Sequence, residues 1–341
     1  MLGGRKKKIL RMCATRWLSH HRCVESVLEN WEVLLEFLKQ AVAQDKLKST
    51  EIISFELNNE CNRAYLLFFK YVLNYFNTLN ALFQSKVPLI HVLQWESETL
   101  FLSLGQNFIK KSELNTTCAV RSPYISLPIE EVFFGHECID LLTTIPKAAA
   151  NKIRMDYLQF YIIALEEIQR RLPLGTGIFT EMEFLSPEIA MGVKGNKNDF
   201  TFKNIYSRFN VDAYALLQEW RTFEINFKSD EKDNLLEMGT EEFWSNITKM
   251  KNFNDNFLFP TISKLAKFIL TLPHANADSE RIFSIVTDVR TKKRNKLSHA
   301  NLTSICIIRS FLQDENLNCC IFQCKESHLK KMTSSELYDH H

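Results

Sequence analysis

The stretch LPHANADSERIFSIVTDVRTKKRNKL, Leu272 to Leu297, organises the reading of this 341-residue chain. Pro273 lacks an amide hydrogen and stops a helix arriving from upstream. Asn276 or Asp278 offers a side-chain oxygen to cap a new helix, in which Ile282, Phe283, Val286 and Val289 recur at helical spacing. Asn295 to Ser298 marks a turn into a further periodic run, Leu302, Ile305, Ile308, Phe311 and Leu312. Upstream, Ile262, Leu265, Ala266, Phe268 and Ile269 form another face. Three short amphipathic helices within about fifty residues cover one another thinly. That alone predicts a partner surface, and the most economical partner is a second copy.

The rest of the chain reads the same way. Gly (9) and Pro (8) are scarce and apolar runs are long, which favours a mainly α fold over a turn-rich β one. The 26 phenylalanines predict an aromatic core. Val24, Val27, Leu28, Trp31, Leu34, Leu35 and Leu38 line one helix face, with Ser19 as its cap. Asn62 to Phe83 is apolar nearly all round and reads as a buried helix, and Ser85 to Leu104 as the next. A loop region over 112–128 precedes a long helix after Pro146, with Ile153, Tyr157, Phe160, Ala164 and Ile168 on one face, ended by Pro173. GVKGNKND, Gly192 to Asp199, reads as a surface loop.

Charge and cysteine usage bound the function. A net charge of +2 does not mark the whole chain as a nucleic-acid binder. Tyr65 to Phe83 is interrupted by Lys70 and polar residues, so no membrane span is expected, and MLGGRKKKILRMC has no signal-peptide core. Arg5 to Lys8 is either a nuclear import signal or solvated charge. Nine scattered cysteines read as reduced thiols. CCIFQCKESH lacks the paired spacing of a structural zinc site, so no metal or other cofactor is expected there.

Specific residues carry more. Pro273, Ala277, Ser279, Glu280, Arg281, Phe283 and Ser284, followed by Lys292, Arg294, Asn295 and Leu297, form a run that resembles the C-terminal region of hAT-type transposases. Thr15, Arg16 and Trp17 resemble the family's T-R-W segment, and Gln169 to Pro173 and Glu242-Phe243-Trp244 are weaker echoes in the same order. The resemblance implies the helical insertion domain of an RNase-H-like transposase, a C-terminal helical dimerisation region, and most RNase-H strands absent. On it, residues 1–18 are a basic tail and remnant, 19–245 the all-helical insertion domain, 246–314 the dimerisation region and 315–341 a Cys-containing tail.

The family's strand transfer uses two divalent metals held by three carboxylates. Glu280 matches the third; the other two should precede Trp17, and residues 1–16 contain no Asp or Glu. The chain as it stands is therefore expected to be catalytically inactive, with Glu280 a relic. Its expected activity is self-association, as a homodimer or with a related hAT-type protein, through Phe283, Val286, Ile305, Ile308 and Phe311, in the nucleus and with no small-molecule substrate. Two alternatives stay open: a truncated reading of an active DNA transposase, and a non-catalytic DNA-binding protein. For the latter, Trp17 is either a base-stacking ring or a packed one. Arg290, Lys292, Lys293 and Arg294, with Lys296, put five positive charges in seven residues, a phosphate contact or a solvated helix end.

Overall fold

A computed structural model describes residues 17–330 except 46, 176, 196–199, 292–293 and 319. The chain divides into two compact units, one through His274 and the other from Ala275 onward. Both are helical. Among the described residues the β features are two isolated bridges, Ile109 with Ser126 and Lys251 with Phe257. No described helix is long and apolar enough to cross a membrane.

The larger unit begins with helices α1 (Trp17–Glu29), α2 (Trp31–Asp45), α3 (Lys48–Leu57) and α4 (Glu60–Phe83). The single helix expected from Ser19 to Leu38 is thus two, and Ser19 lies inside the first rather than at its cap. The break is at Asn30, whose side-chain amide donates to the Ser26 carbonyl at 2.7 Å. Such local side-chain bonding competes with helix continuation. The turn sets Trp31 into a buried position, under the guanidinium of Arg63 at 5.7 Å.

Helix α4 is capped by Asn59, whose side-chain Oδ1 accepts from the Cys61 N–H at 3.0 Å. Ala64, Phe68 and Val72, four residues apart, form its fully buried stripe. The helix expected from Ser85 starts later. Pro88 has no N–H and restrains Val87 to extended backbone, so a 3-10 turn, Ile90–Val92, leads into α5 (Leu93–Gly105). Helices α6 (His136–Thr144) and α7 (Lys147–Arg171) complete the first core. Leu172, held extended before Pro173, ends α7. Inside, Phe68 stacks on Tyr157 at 4.1 Å and packs edge-on against Tyr161, whose hydroxyl donates to the Phe133 carbonyl at 2.8 Å. The irregular 112–128 region closes over this core, with Val120 and Ile125 buried.

A second core follows, built by short elements. These are α8 (Ile178–Met182), α9 (Pro187–Ala190), α10 (Lys203–Phe209), α11 (Ala213–Thr222), α12 (Ser229–Leu236), α13 (Thr240–Ile247) and α14 (Pro260–Leu270). Their shared interior holds Phe184, Phe202, Trp220, Phe223, Phe243 and Trp244, all essentially fully buried. Phe202 takes a left-handed backbone (φ 53°) to place its ring there, a conformation that packing must stabilise in a non-glycine residue. The carboxylate of Glu181 accepts from the N–H groups of Asn204 (3.2 Å) and Ile205 (2.9 Å), so a distant side chain caps α10. Helix α14 contributes Ile262, Leu265, Ala266 and Ile269 to this core. The packing boundary after His274 therefore falls inside the 246–314 segment read from sequence.

Candidate self-association surface

The smaller unit is a helical hairpin of α15 (Ala277–Val289) and α16 (His299–Asp314), followed by the short α17 (Glu326–Lys330). Asn276 stands at the N-cap position of α15 without a side-chain cap bond. Ser298 caps α16, its hydroxyl accepting from the Asn301 N–H at 3.3 Å. The two helices meet on Ile285, Val289 and Cys306, which are buried, with Val286, Leu297, Leu302 and Ile305 partly covered around them. An ion pair between Arg309 and Asp288, at 4.0 Å and largely exposed, sits beside the seam and adds little.

The five residues expected to form the dimer core fall into two groups. Val286 and Ile305 pack within the hairpin itself. Phe283, Ile308 and Phe311 do not, and stand 67%, 57% and 47% exposed. Ile307, which the periodicity reading passed over, is 63% exposed beside them. On α16 the outward residues Ala300, Ser304, Ile307 and Phe311 follow alternating spacings of four and three, the pattern of a helix-pairing seam. Ser304 keeps its own hydroxyl satisfied by the Ala300 carbonyl at 3.0 Å. Helix α16 is thus apolar on two faces, and only the inner one is covered by α15. A helix apolar on both sides belongs between two neighbours.

The remaining sequence-predicted residues are not gathered with these. Trp17 opens α1, in the other unit, and its side chain lies outside the described residues. Lys292 and Lys293 also lie outside the described residues. Arg290 and Arg294 are exposed; the Arg290 N–H closes the end of α15 on the Val286 carbonyl, and the Arg294 N–H turns back to Thr291. Glu280 is exposed in the first turn of α15, with its N–H bonded to the Asn276 carbonyl at 2.9 Å. A carboxylate there interacts favourably with the helix dipole. Among the described residues no three His, Cys, Asp or Glu side chains come close enough to hold a metal ion. The described residues therefore do not fit the three-carboxylate set that a two-metal centre needs.

Residues 224–312 match the sequence model of the hAT family C-terminal dimerisation region. No curated protein matches the chain. The match begins in the second core of the larger unit and runs through α15 and α16. It includes every residue named above on the exposed face of the hairpin. Residues 224–312 of this chain are an hAT family C-terminal dimerisation region.

Proposed function

We propose that the chain self-associates through the outward face of the α15–α16 hairpin. The observation that carries this reading is the row of exposed apolar side chains, Ile307, Ile308 and Phe311 (the last edge-on to Phe322 at 6.4 Å), on a helix whose other face is already packed. Burying each side chain is worth about 1.5–3 kcal/mol, enough for a stable contact once two copies contribute and the cost of ordering is met. The paired surfaces are the same on both copies, related by a two-fold axis. Sedimentation velocity tests it. The wild-type chain runs as a dimer, and Ile308→Glu with Phe311→Glu runs as a folded monomer. A wild-type monomer at tens of micromolar would sink the reading.

We further propose that the larger unit is the helical insertion of an RNase-H-like hAT transposase, supported by its helical content and by the order of the T-R-W, F-W and S-E-R segments along the sequence. The chain as it stands does not cut or join DNA, a reading supported by Glu280 lying exposed on α15 with no cluster of three His, Cys, Asp or Glu side chains among the described residues. A nuclease assay of the 341-residue chain with Mn²⁺ and labelled duplex is expected to be blank. Cleavage abolished by Glu280→Gln would overturn this. Arg5 to Lys8 supports a nuclear address, checked by the distribution of a fluorescent fusion with and without those residues.

A further inference from the structure

Residues 249–267 hold a second uncovered feature, in the larger unit and independent of the hairpin. Lys249, Lys251, Lys264 and Lys267 stand against one acid, Asp255, so the segment carries +3 while the whole chain carries +2. All four lysines are exposed. Lys251 is engaged, with its Nζ 2.9 Å from Asp255 and 5.5 Å from the centre of the Phe257 ring. Lys264 and Lys267 lie one turn apart on the outer side of α14. They rim a cavity of about 260 Å³ walled by Ile247, Phe257, Phe259 and Pro260. Among the described residues no carboxylate lines it.

The wall is held rather than loose. The Lys251–Phe257 bridge closes the loop, and the Asn252 side-chain oxygen accepts from the N–H groups of Asn254 (2.9 Å) and Asn256 (3.1 Å). Asp255 takes a left-handed backbone (φ 63°) to complete the turn. Phe257 is consequently fixed with more than half of its surface in water. A fixed apolar wall with a cationic rim costs little to organise on binding.

We propose that this cavity docks a short acidic segment of a partner protein, placing one bulky apolar side chain between carboxylates. The apolar walls take the anchor, and Lys264 and Lys267 meet the flanking charges. Two lysines on one rim make a point contact and not the continuous basic track that a nucleic-acid backbone follows, so charge complementarity and pocket shape both favour a peptide.

The test uses the full chain and a fluorescein-labelled peptide of alternating Glu and Leu, read by anisotropy. Saturable binding is expected, weakening as salt rises and falling at least tenfold in Lys264→Glu with Lys267→Glu. A peptide with Ala in place of Leu is expected to bind at least tenfold more weakly. Circular dichroism checks that the variant is folded, and Lys264→Ala with Lys267→Ala gives an intermediate loss if charge is the cause. The proposal is overturned by absence of peptide binding, by binding indifferent to the reversal, or by an oligo-dT strand that competes as well as the unlabelled peptide. It is also overturned if the reversal changes the oligomeric state, which would make a second copy the occupant. Loss of self-association in the hairpin variant leaves this binding intact, so the two readings fail separately.

Discussion

The carboxylate of Glu219 accepts a hydrogen bond from the backbone N–H of Ile262 at 2.8 Å, and its second oxygen accepts from the Thr261 N–H at 3.0 Å. Helix α14 opens with Pro260, which has no N–H, after Phe259, whose side chain cannot cap. The next two amides are the ones a helix start leaves without partners. A residue 42 positions upstream of Thr261 thus does the work of an N-cap. Glu219→Ala is expected to destabilise the larger unit by about 1–2 kcal/mol, read as a lower urea midpoint with an unchanged slope. Glu219→Gln, able to satisfy only part of the set, should fall between.

Trp244 is almost fully buried in the second core. Its indole N–H donates to the Leu185 carbonyl at 2.8 Å, and its ring meets Phe184, Phe223 and Phe243. Trp244→Phe leaves that buried carbonyl unpaired and a void beside it. A loss of about 3 kcal/mol is expected from the two effects together, measured by chemical denaturation. A change under 1 kcal/mol would mean that the core relaxes around the gap.

The hairpin residues should separate by measurement. Phe283→Ser and Phe311→Ser leave the seam untouched and are expected to weaken self-association by one to two orders of magnitude, about 1.4–2.8 kcal/mol, with the helical signal retained. Val286→Ser and Ile305→Ser enter the seam, so hydrogen exchange across α15 and α16 should speed up as well. Equal behaviour of the two pairs would contradict the division of faces described above.

Acid should act on the larger unit through His91. Burial, with a smaller contribution from nearby His274, pushes this imidazole down to about 4 from its ordinary 6.5. Its Nδ1 is buried with no partner, and its Nε2 lies 3.4 Å from the Thr240 hydroxyl. A group whose folded value is depressed stabilises the fold fully above its unfolded value and loses that contribution as pH falls through the folded one. Stability is therefore expected to drop between pH 6.5 and 4, and His91→Leu should flatten that part of the curve in urea titrations. Persistence of the full slope in the variant would assign it to other groups.

The sequence shows the long elements well and the short ones poorly. Helices α4 and α7 announce themselves because Ala64, Phe68 and Val72, or Ile153, Tyr157 and Ile168, repeat at helical spacing between recognisable stops. Asn30 and Pro88 escaped because each interrupts a stretch whose apolar spacing reads continuously. The second core was the least visible. Phe202 and Trp220 come together only through left-handed turns and through caps supplied by Glu181 and Glu219, which are tertiary events with no local signature. On the hairpin, periodicity alone does not tell the inner face of α16 from the outer. Ile305 and Ile308 share a residue type, and only the position of α15 decides which is covered.

The division after His274 has a practical meaning. The segment recognisable by descent, 224–312, starts inside a core whose opposite wall includes Phe184, Phe202 and Trp220. The segment that the family model matches is therefore not the segment that packs as one unit. A gene fragment cut at the family boundaries would remove Phe184, Phe202, Trp220 and Phe223 and so expose Phe243 and Trp244, whereas a cut near residue 275 isolates the hairpin with its seam whole. A stable fragment that carries the outer face of the hairpin therefore holds either far more of the chain than the matched segment, or far less.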